Sequence, residues 1–327
     1  MTDQRRADGS LRHLLTLEGL TRSEIESLLD RAQTYVRDRG VYAARSDKLS
    51  GLTVANLFTE PSTRTRVSFE LAAKRLGADV VNLEMQLSSR SKGESMLDTI
   101  FTLEALHVDV FVVRDSQPGV LALVADHVAP HVCVLSAGEA HLSHPTQGLL
   151  DALTIRQHKE RFDKLAVTIV GDIRHSRVAR SAYHVLRTLG VGELRLVAPP
   201  ALMPEADEFP GARRHDRIEN GLIGADVVMM LRIQRERMSD NTAPVGSEYF
   251  EHYGLTPERL AFARPDVIVM HPQPMNRGVE ISSEVADGRQ SVIRDQVANG
   301  VAVRMAVLTA IVEDRPGSRV ERRSEPR

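Results

Sequence analysis

Five consecutive residues, Ser62-Thr63-Arg64-Thr65-Arg66, hold three hydroxyls and two guanidinium groups where an apolar run gives way to a helical pattern. The free N–H groups and the dipole of a helix N-terminus favour an anion. Ser62, Thr63 and Thr65 add hydroxyl donors there, and Arg64 adds a forked, charge-assisted contact suited to phosphate oxygens. The G-x-x-x-x-G-K and G-x-G-x-x-G patterns of nucleotide-binding loops are absent, so a small phosphate compound suffices as ligand. The competing reading is a capped helix with solvated arginines. Arg66 stands open between a ligand contact and a structural ion pair.

Other segments carry complementary chemistry. His144 precedes a proline in HLSHPTQG and is suited to donating to a substrate oxygen, while Gln147 offers a donor and an acceptor to an amide-like group. Helix capping is the alternative use of both. His141 and His144 lack cysteine partners and an H-E-x-x-H pattern, so no metal is expected. Lys92 lies beside Gly93 in the polar stretch SSRSKGES, which reads either as an ordinary solvated loop or as one that brings a lysine to an anion. Arg177 and Arg232 each follow an apolar run, and two fixed arginines suit a dicarboxylate, one fork per carboxylate. Either arginine alone also reads as a surface ion pair. Arg235 and Arg237 flank Glu236, so local pairing accounts for at least one of them.

The elements that must position these residues alternate in type. Strands are expected at 52–58, 78–83, 108–113 and 131–136, then again at 165–171, 193–199, 225–231 and 265–270. Helical periodicity covers 65–77, where Phe69, Ala72, Ala73 and Leu76 share a face, and also 94–106, 119–128, about 145–160, 176–190, 216–223 and 290–312. Such alternation implies an α/β fold of two doubly wound parallel sheets. The 145–160 helix would join the two domains and the last helix would return to the first. The expected boundaries are 11–149 plus 290–312 for one domain and 150–289 for the other, with 1–10 and 313–327 as flexible tails. In open parallel sheets ligands bind beyond the carboxyl ends of strands. Polar clusters follow six of the eight expected strands, including Arg114 after the third and His271-Pro272-Gln273 after the last. One cleft between two domains is the arrangement this favours.

Composition narrows the class. The 327 residues are 42% hydrophobic and 26% charged, a globular balance, and the net charge of -2 gives no overall drive toward nucleic acid or acidic membranes. The single Cys133, in HVCVL, excludes an intrachain disulfide and reads as a buried thiol. The start MTDQRRADGS shows no signal peptide, and no run approaches the roughly 18 apolar residues of a membrane span. A reducing, cytoplasmic setting is expected.

In order, S-T-R-T-R, S-K-G-E, H-P-T-Q, G-D-x-x-H-S-R, R-x-Q-x-E-R and H-P-x-P-M-N-R-G resemble the aspartate carbamoyltransferase catalytic chains, within the aspartate/ornithine carbamoyltransferase superfamily. The resemblance spans residues 11–312. Its H-P-Q-P stretch, 271–274, differs from the H-C-L-P of the ornithine branch. It implies transfer of the carbamoyl group of carbamoyl phosphate to L-aspartate, an early step of pyrimidine synthesis. Ser62, Thr63, Arg64 and Thr65 would hold the phosphate, with Ser88 and Lys92 arriving from a neighbouring subunit of a homotrimer with shared sites. Thr65, Arg114 and His144 would contact the carbonyl oxygen. Gln147 and the main-chain carbonyls of Pro272 and Gln273 would hold the carbamoyl NH2. Arg177, Arg232, Gln234 and Lys92 would bind aspartate. No cofactor and no covalent enzyme intermediate follow from this chemistry. Related chains imply a dihydroorotase-like or regulatory chain as a further partner. A different amine acceptor, or a non-catalytic phosphate-binding subunit of the same fold, are the rival functions.

Two positions depart from the pattern. Gln273 stands where Gly or Leu is usual, and Ala137-Gly138-Glu139-Ala140 replaces A-G-D-G. Alanine resists positive φ, so the second departure bears on the loop before His144. Neither removes an implied contact atom.

Overall fold

The computed structural model describes residues 4–36, 45–84, 95–233 and 247–313. The expectations for Ser88, Lys92, Gln234, Arg235, Glu236 and Arg237, and for the tail beyond 313, lie outside the described residues. The chain divides into two compact units, one of 1–19, 26–146 and 299–327, the other of 20–25 and 147–298.

The first sheet contains β1 (Thr53–Phe58), β2 (Asp79–Glu84), β3 (Val110–Asp115) and β4 (Cys133–Glu139), all parallel in the order β2-β1-β3-β4. Its helices are α1 (Arg22–Tyr35), α2 (Thr63–Arg75), α3 (Met96–Ala105) and α4 (Val120–His127), and α5 (Pro145–His158) then carries the chain into the second unit. Helix α1 is not among the elements anticipated above. Its buried residues Ile25, Leu28, Leu29 and Ala32 nonetheless recur at helical spacing, and Thr21 and Glu24 close its start reciprocally. β1 is buried along nearly its whole length, as a central parallel strand must be. Ala55, Leu57, Phe111, Val113 and Val134 of the sheet share one core with residues of α3 and α4.

The second sheet has β5 (Ala166–Val170), β6 (Glu193–Val197), β7 (Arg213–His215), β8 (Val227–Met230) and β9 (Ile268–Met270), parallel in the order β7-β6-β5-β8-β9. Four of these were expected. β7 is a short edge strand of sequence RRH, too polar and brief to show an apolar pattern. The helices are α6 (Arg177–Thr188), α7 (Ile218–Leu222), α8 (Ser247–Tyr253), α9 (Pro257–Leu260), α10 (Ser283–Ala286) and α11 (Ile293–Glu313).

The last helix ends in the first unit, as expected. Arg304 is buried there with its guanidinium carbon 4.9 Å from the centre of the Phe69 ring on α2, and Glu313 pairs with Arg31 and Lys48. Burial lowers the Arg304 pKa to about 10. By length and composition alone α11 could cross a membrane, which corrects the expectation that no run comes near it. Of its most apolar window 72% is buried inside the protein, as in a core helix.

The N-terminal segment is held rather than loose from residue 4 onward. The Gln4 side chain accepts from Leu15 N and Thr16 N at 2.6 and 3.0 Å, and Arg6 reaches the carbonyls of Leu11 and Ile311. Polar side chains do this anchoring, so the apolar pattern gives no sign of it.

Candidate functional site

In the first unit the strand order reverses between β1 and β3, the switch point where open α/β sheets bind ligands. Thr59 donates through its N and its Oγ1 to the carbonyl of Arg114, at 3.0 and 3.1 Å, which ties the two strand ends together. The chain then turns into α2 at Ser62. This N-cap residue makes no side-chain capping bond, and the first turn carries no acidic residue. A serine at this position usually caps the helix, so the first turn of α2 lacks that common internal acceptor. Thr65 is buried one turn in, Arg64 is exposed and Arg66 is half-buried. The Glu70 carboxyl sits below its ordinary range, mainly through Lys74, with Arg66 adding its charge. Arg66 thus lies within the field of a carboxylate of its own helix.

Arg114 is oriented by two bonds. Its Nε donates to Glu60 Oε2 at 3.0 Å and one terminal nitrogen donates to the carbonyl of Ala137 at 3.2 Å. Glu60 is a residue the sequence reading passed over, although it sits in the same TEPST string that opens the site. Beyond β4 the chain folds back on itself, with Glu139 N donating to Ser143 O at 2.8 Å and Ala140 N to Asp115 O at 2.8 Å. Ala140 adopts φ +42°. The positive φ expected to need glycine is therefore kept by an alanine, clamped by these main-chain bonds. The loop delivers His144, 5% exposed, to the start of α5, where Pro145 occupies the first helical position. Burial raises the Glu139 pKa, against bonds from the N–H groups of Leu121 and Gly119 that use this carboxyl to cap α4.

In the second unit the order reverses between β5 and β8. Gly171, directly after β5, has φ +134°, and a Cβ there would lie 2.8 Å from the carbonyl oxygen of Leu231. Only glycine lets the two strand ends run this close. Past it, buried Asp172 accepts from His175 Nδ1 at 2.8 Å, and Ser176 caps α6 by accepting from Ala179 N at 3.1 Å. Arg177 is then the first residue of α6 and is 6% exposed; Arg232 follows β8 and is half-buried. The two arginines thus lie in the segments that follow the adjacent strands β5 and β8.

A third group lies at the end of β9. His271 Nδ1 accepts from Gln273 N at 2.8 Å, so the neutral ring carries its proton on Nε2, which faces buried Glu280 Oε1 at 3.2 Å. Gln273 has φ +57°. Both departures from the family pattern, at 140 and 273, thus fall on non-glycine residues in the left-handed region. On α5, Gln147 Nε2 donates to Asp151 Oδ1 at 2.9 Å, which leaves Gln147 Oε1 as its acceptor for a partner.

Each half therefore offers distinct chemistry. The first provides anion donors, an oriented arginine and a buried histidine. The second provides two arginines and amide or carbonyl acceptors. Among the described residues no cluster of His, Cys, Asp and Glu could hold a metal ion.

Residues 12–157 match the family model described as aspartate/ornithine carbamoyltransferase, carbamoyl-P binding domain, and residues 163–311 match its Asp/Orn binding domain. The fold is similar to an aspartate transcarbamoylase from Trypanosoma cruzi solved with carbamoyl phosphate and aspartate, at 30% identity and TM-score 0.82, covering 92% of this chain and 97% of that one. The same enzyme with carbamoyl aspartate and phosphate aligns at 29% identity and TM-score 0.81, covering 92% and 96%. An ornithine carbamoyltransferase from Thermus thermophilus aligns at 26% and 0.81, covering 92% and 99%. With both family domains matched in order over most of its length, the chain belongs to the aspartate/ornithine carbamoyltransferase family.

Proposed function

We propose that this carbamoyltransferase uses L-aspartate as acceptor, forming N-carbamoyl-L-aspartate and phosphate in pyrimidine synthesis. The observation that carries the choice of amine is the pair Arg177, at the start of α6, the helix that follows β5, and Arg232, in the segment that follows the adjacent strand β8. A dicarboxylate gains a charge-assisted contact from each, whereas ornithine would bring a side-chain ammonium toward two cations. The H-P-Q-P stretch at 271–274 supports the same branch.

The reaction draws on both units. Phosphate oxygens meet the N-terminus of α2, with Ser62, Thr63, Arg64 and Thr65 as donors. Thr65, Arg114 and His144 donate to the carbonyl oxygen, where negative charge grows as the tetrahedral centre forms. Gln147 Oε1 and the carbonyls of Pro272 and Gln273 accept from the carbamoyl NH2. The neutral aspartate amine forms the new C–N bond, the C–O bond to phosphate breaks, and the departing phosphate takes the amine proton. Orientation of the two substrates supplies a large part of the rate. Ser88 and Lys92 from a neighbouring copy, and Gln234 beside the arginines, complete this reading in a cytoplasmic homotrimer. A monomer in sedimentation that is fully active would overturn the shared site.

The acceptor is tested by incubating the purified chain with carbamoyl phosphate and either aspartate or ornithine. Carbamoyl-aspartate should form far faster. Preferential carbamoylation of ornithine, which the similarity to the Thermus enzyme makes the alternative, would refute the assignment.

A further inference from the structure

We propose that Asp151, acting with Gln296, is a positioning residue that holds Gln147 and the main chain at 271–273 in one fixed arrangement around the carbamoyl amide. The inference rests on the carbamoyl-transfer reading above. It starts from a chain of bonds wholly inside the second unit. Asp151 lies one turn after Gln147 on α5 and is 1% exposed. Its Oδ1 accepts from Gln147 Nε2 at 2.9 Å and from Gln296 Nε2, on α11, at 2.8 Å. Gln296 Oε1 in turn accepts from His271 N at 2.9 Å, and His271 Nδ1 accepts from Gln273 N at 2.8 Å.

Every bond in this chain uses the atom the substrate does not need. Gln147 has its amide nitrogen engaged and presents Oε1. Gln273 has its N–H engaged and presents its carbonyl. A carbamoyl NH2 has two N–H donors, so acceptors set at a fixed separation recognise it, and a single oxygen, Asp151 Oδ1, is the bond partner shared between the two arms. Burying a carboxyl is costly, and an apolar residue of similar size would be cheaper unless the acceptor is required. Among the described residues Asp151 Oδ2 meets no hydrogen-bond partner. Burial raises the Asp151 pKa to about 7 against the two amide bonds. A proton on Oδ2 leaves Oδ1 as a carbonyl-type acceptor, the same acceptor that asparagine would present.

Steady-state kinetics of the full chain with carbamoyl phosphate and aspartate test this, alongside inhibition by inorganic phosphate. Asp151→Ala should lower kcat/KM for carbamoyl phosphate at least ten-fold while the phosphate inhibition constant moves less than two-fold, because phosphate is held from the first unit. Asp151→Asn should recover most of the loss. Gln296→Met, which keeps bulk without hydrogen-bonding groups, should reproduce the split if Asp151→Ala does not fold. Equal losses in phosphate binding and turnover, no recovery by asparagine, or unchanged kinetics in both Asp151→Ala and Gln296→Met would overturn the positioning role. Wild-type protein unable to carbamoylate either amine would instead overturn the functional reading on which it rests.

Discussion

Arg114 donates to Glu60 and to the carbonyl of Ala137, so its guanidinium is oriented before a substrate arrives. Arg64 is exposed at the start of α2. Arg64→Ala should lower kcat/KM by roughly 100-fold or more, the usual scale for deleting a donor to developing charge. Arg232→Ala should act mainly on aspartate, raising its KM about 30-fold, for a lost charge-assisted contact of roughly 2 kcal/mol. Normal steady-state constants in both variants would refute the site. Ala140 supplies a stability test at the same scale. A left-handed alanine costs about 1–2 kcal/mol, and glycine returns about 0.5–1 kcal/mol of that through the freedom of the unfolded chain. Ala140→Gly should therefore stabilise by about 0.5–1 kcal/mol in urea denaturation, and a loss of stability would show that the clamp prefers the methyl group.

At the scale of elements, the second half of the site is a product of how β5 and β8 end. Gly171 has no room for a Cβ against Leu231, and its φ of +134° is disfavoured for any other residue. Gly171→Ala must push the two strand ends apart. It should cost about 3 kcal/mol, at the upper end for overpacking. It should also raise KM for aspartate, because Arg177 and Arg232 follow those two ends. A variant with wild-type melting temperature and wild-type KM would show that the strand spacing does not set the arginines. In the first unit α11 plays the corresponding supporting part. Its Arg304 lies over the Phe69 ring, and Phe69 stands one turn beyond Thr65 on α2.

For the whole molecule, Asp151 makes stability depend on pH in the less usual direction. Its folded pKa is raised from 3.8 to about 7, so between these values the folded state binds more protons than the unfolded state. The contribution is full below about pH 4, falls as pH rises, and is gone above about pH 7. The span corresponds to about 4 kcal/mol at about 1.4 kcal/mol per pH unit. Asp151→Asn removes this slope. Melting curves of the two proteins should therefore diverge steadily between pH 4 and pH 7 and run parallel above it. A constant difference over that range would mean that the carboxyl does not titrate there.

The order of motifs and the alternation of apolar periods already contained two parallel α/β sheets, their strand-end clusters and the family. These are local or near-local properties: a strand of five or six apolar residues and a Ser-Thr-Arg turn can be recognised from their immediate neighbours. β7 and α1 show the limits of that reading, the first because three polar residues carry no period, the second because its period lies before the first strand and outside the alternation. Tertiary structure alone decided how the site residues are held. Glu60 on Arg114 joins residues 54 positions apart, and Gln296 on Asp151 joins residues 145 apart. Nothing in either local sequence specifies those partners, because a buried polar atom takes whichever group the packed chain brings to it. The left-handed backbone at Ala140 is a decision of the same kind, held by a bond to Asp115 against local preference.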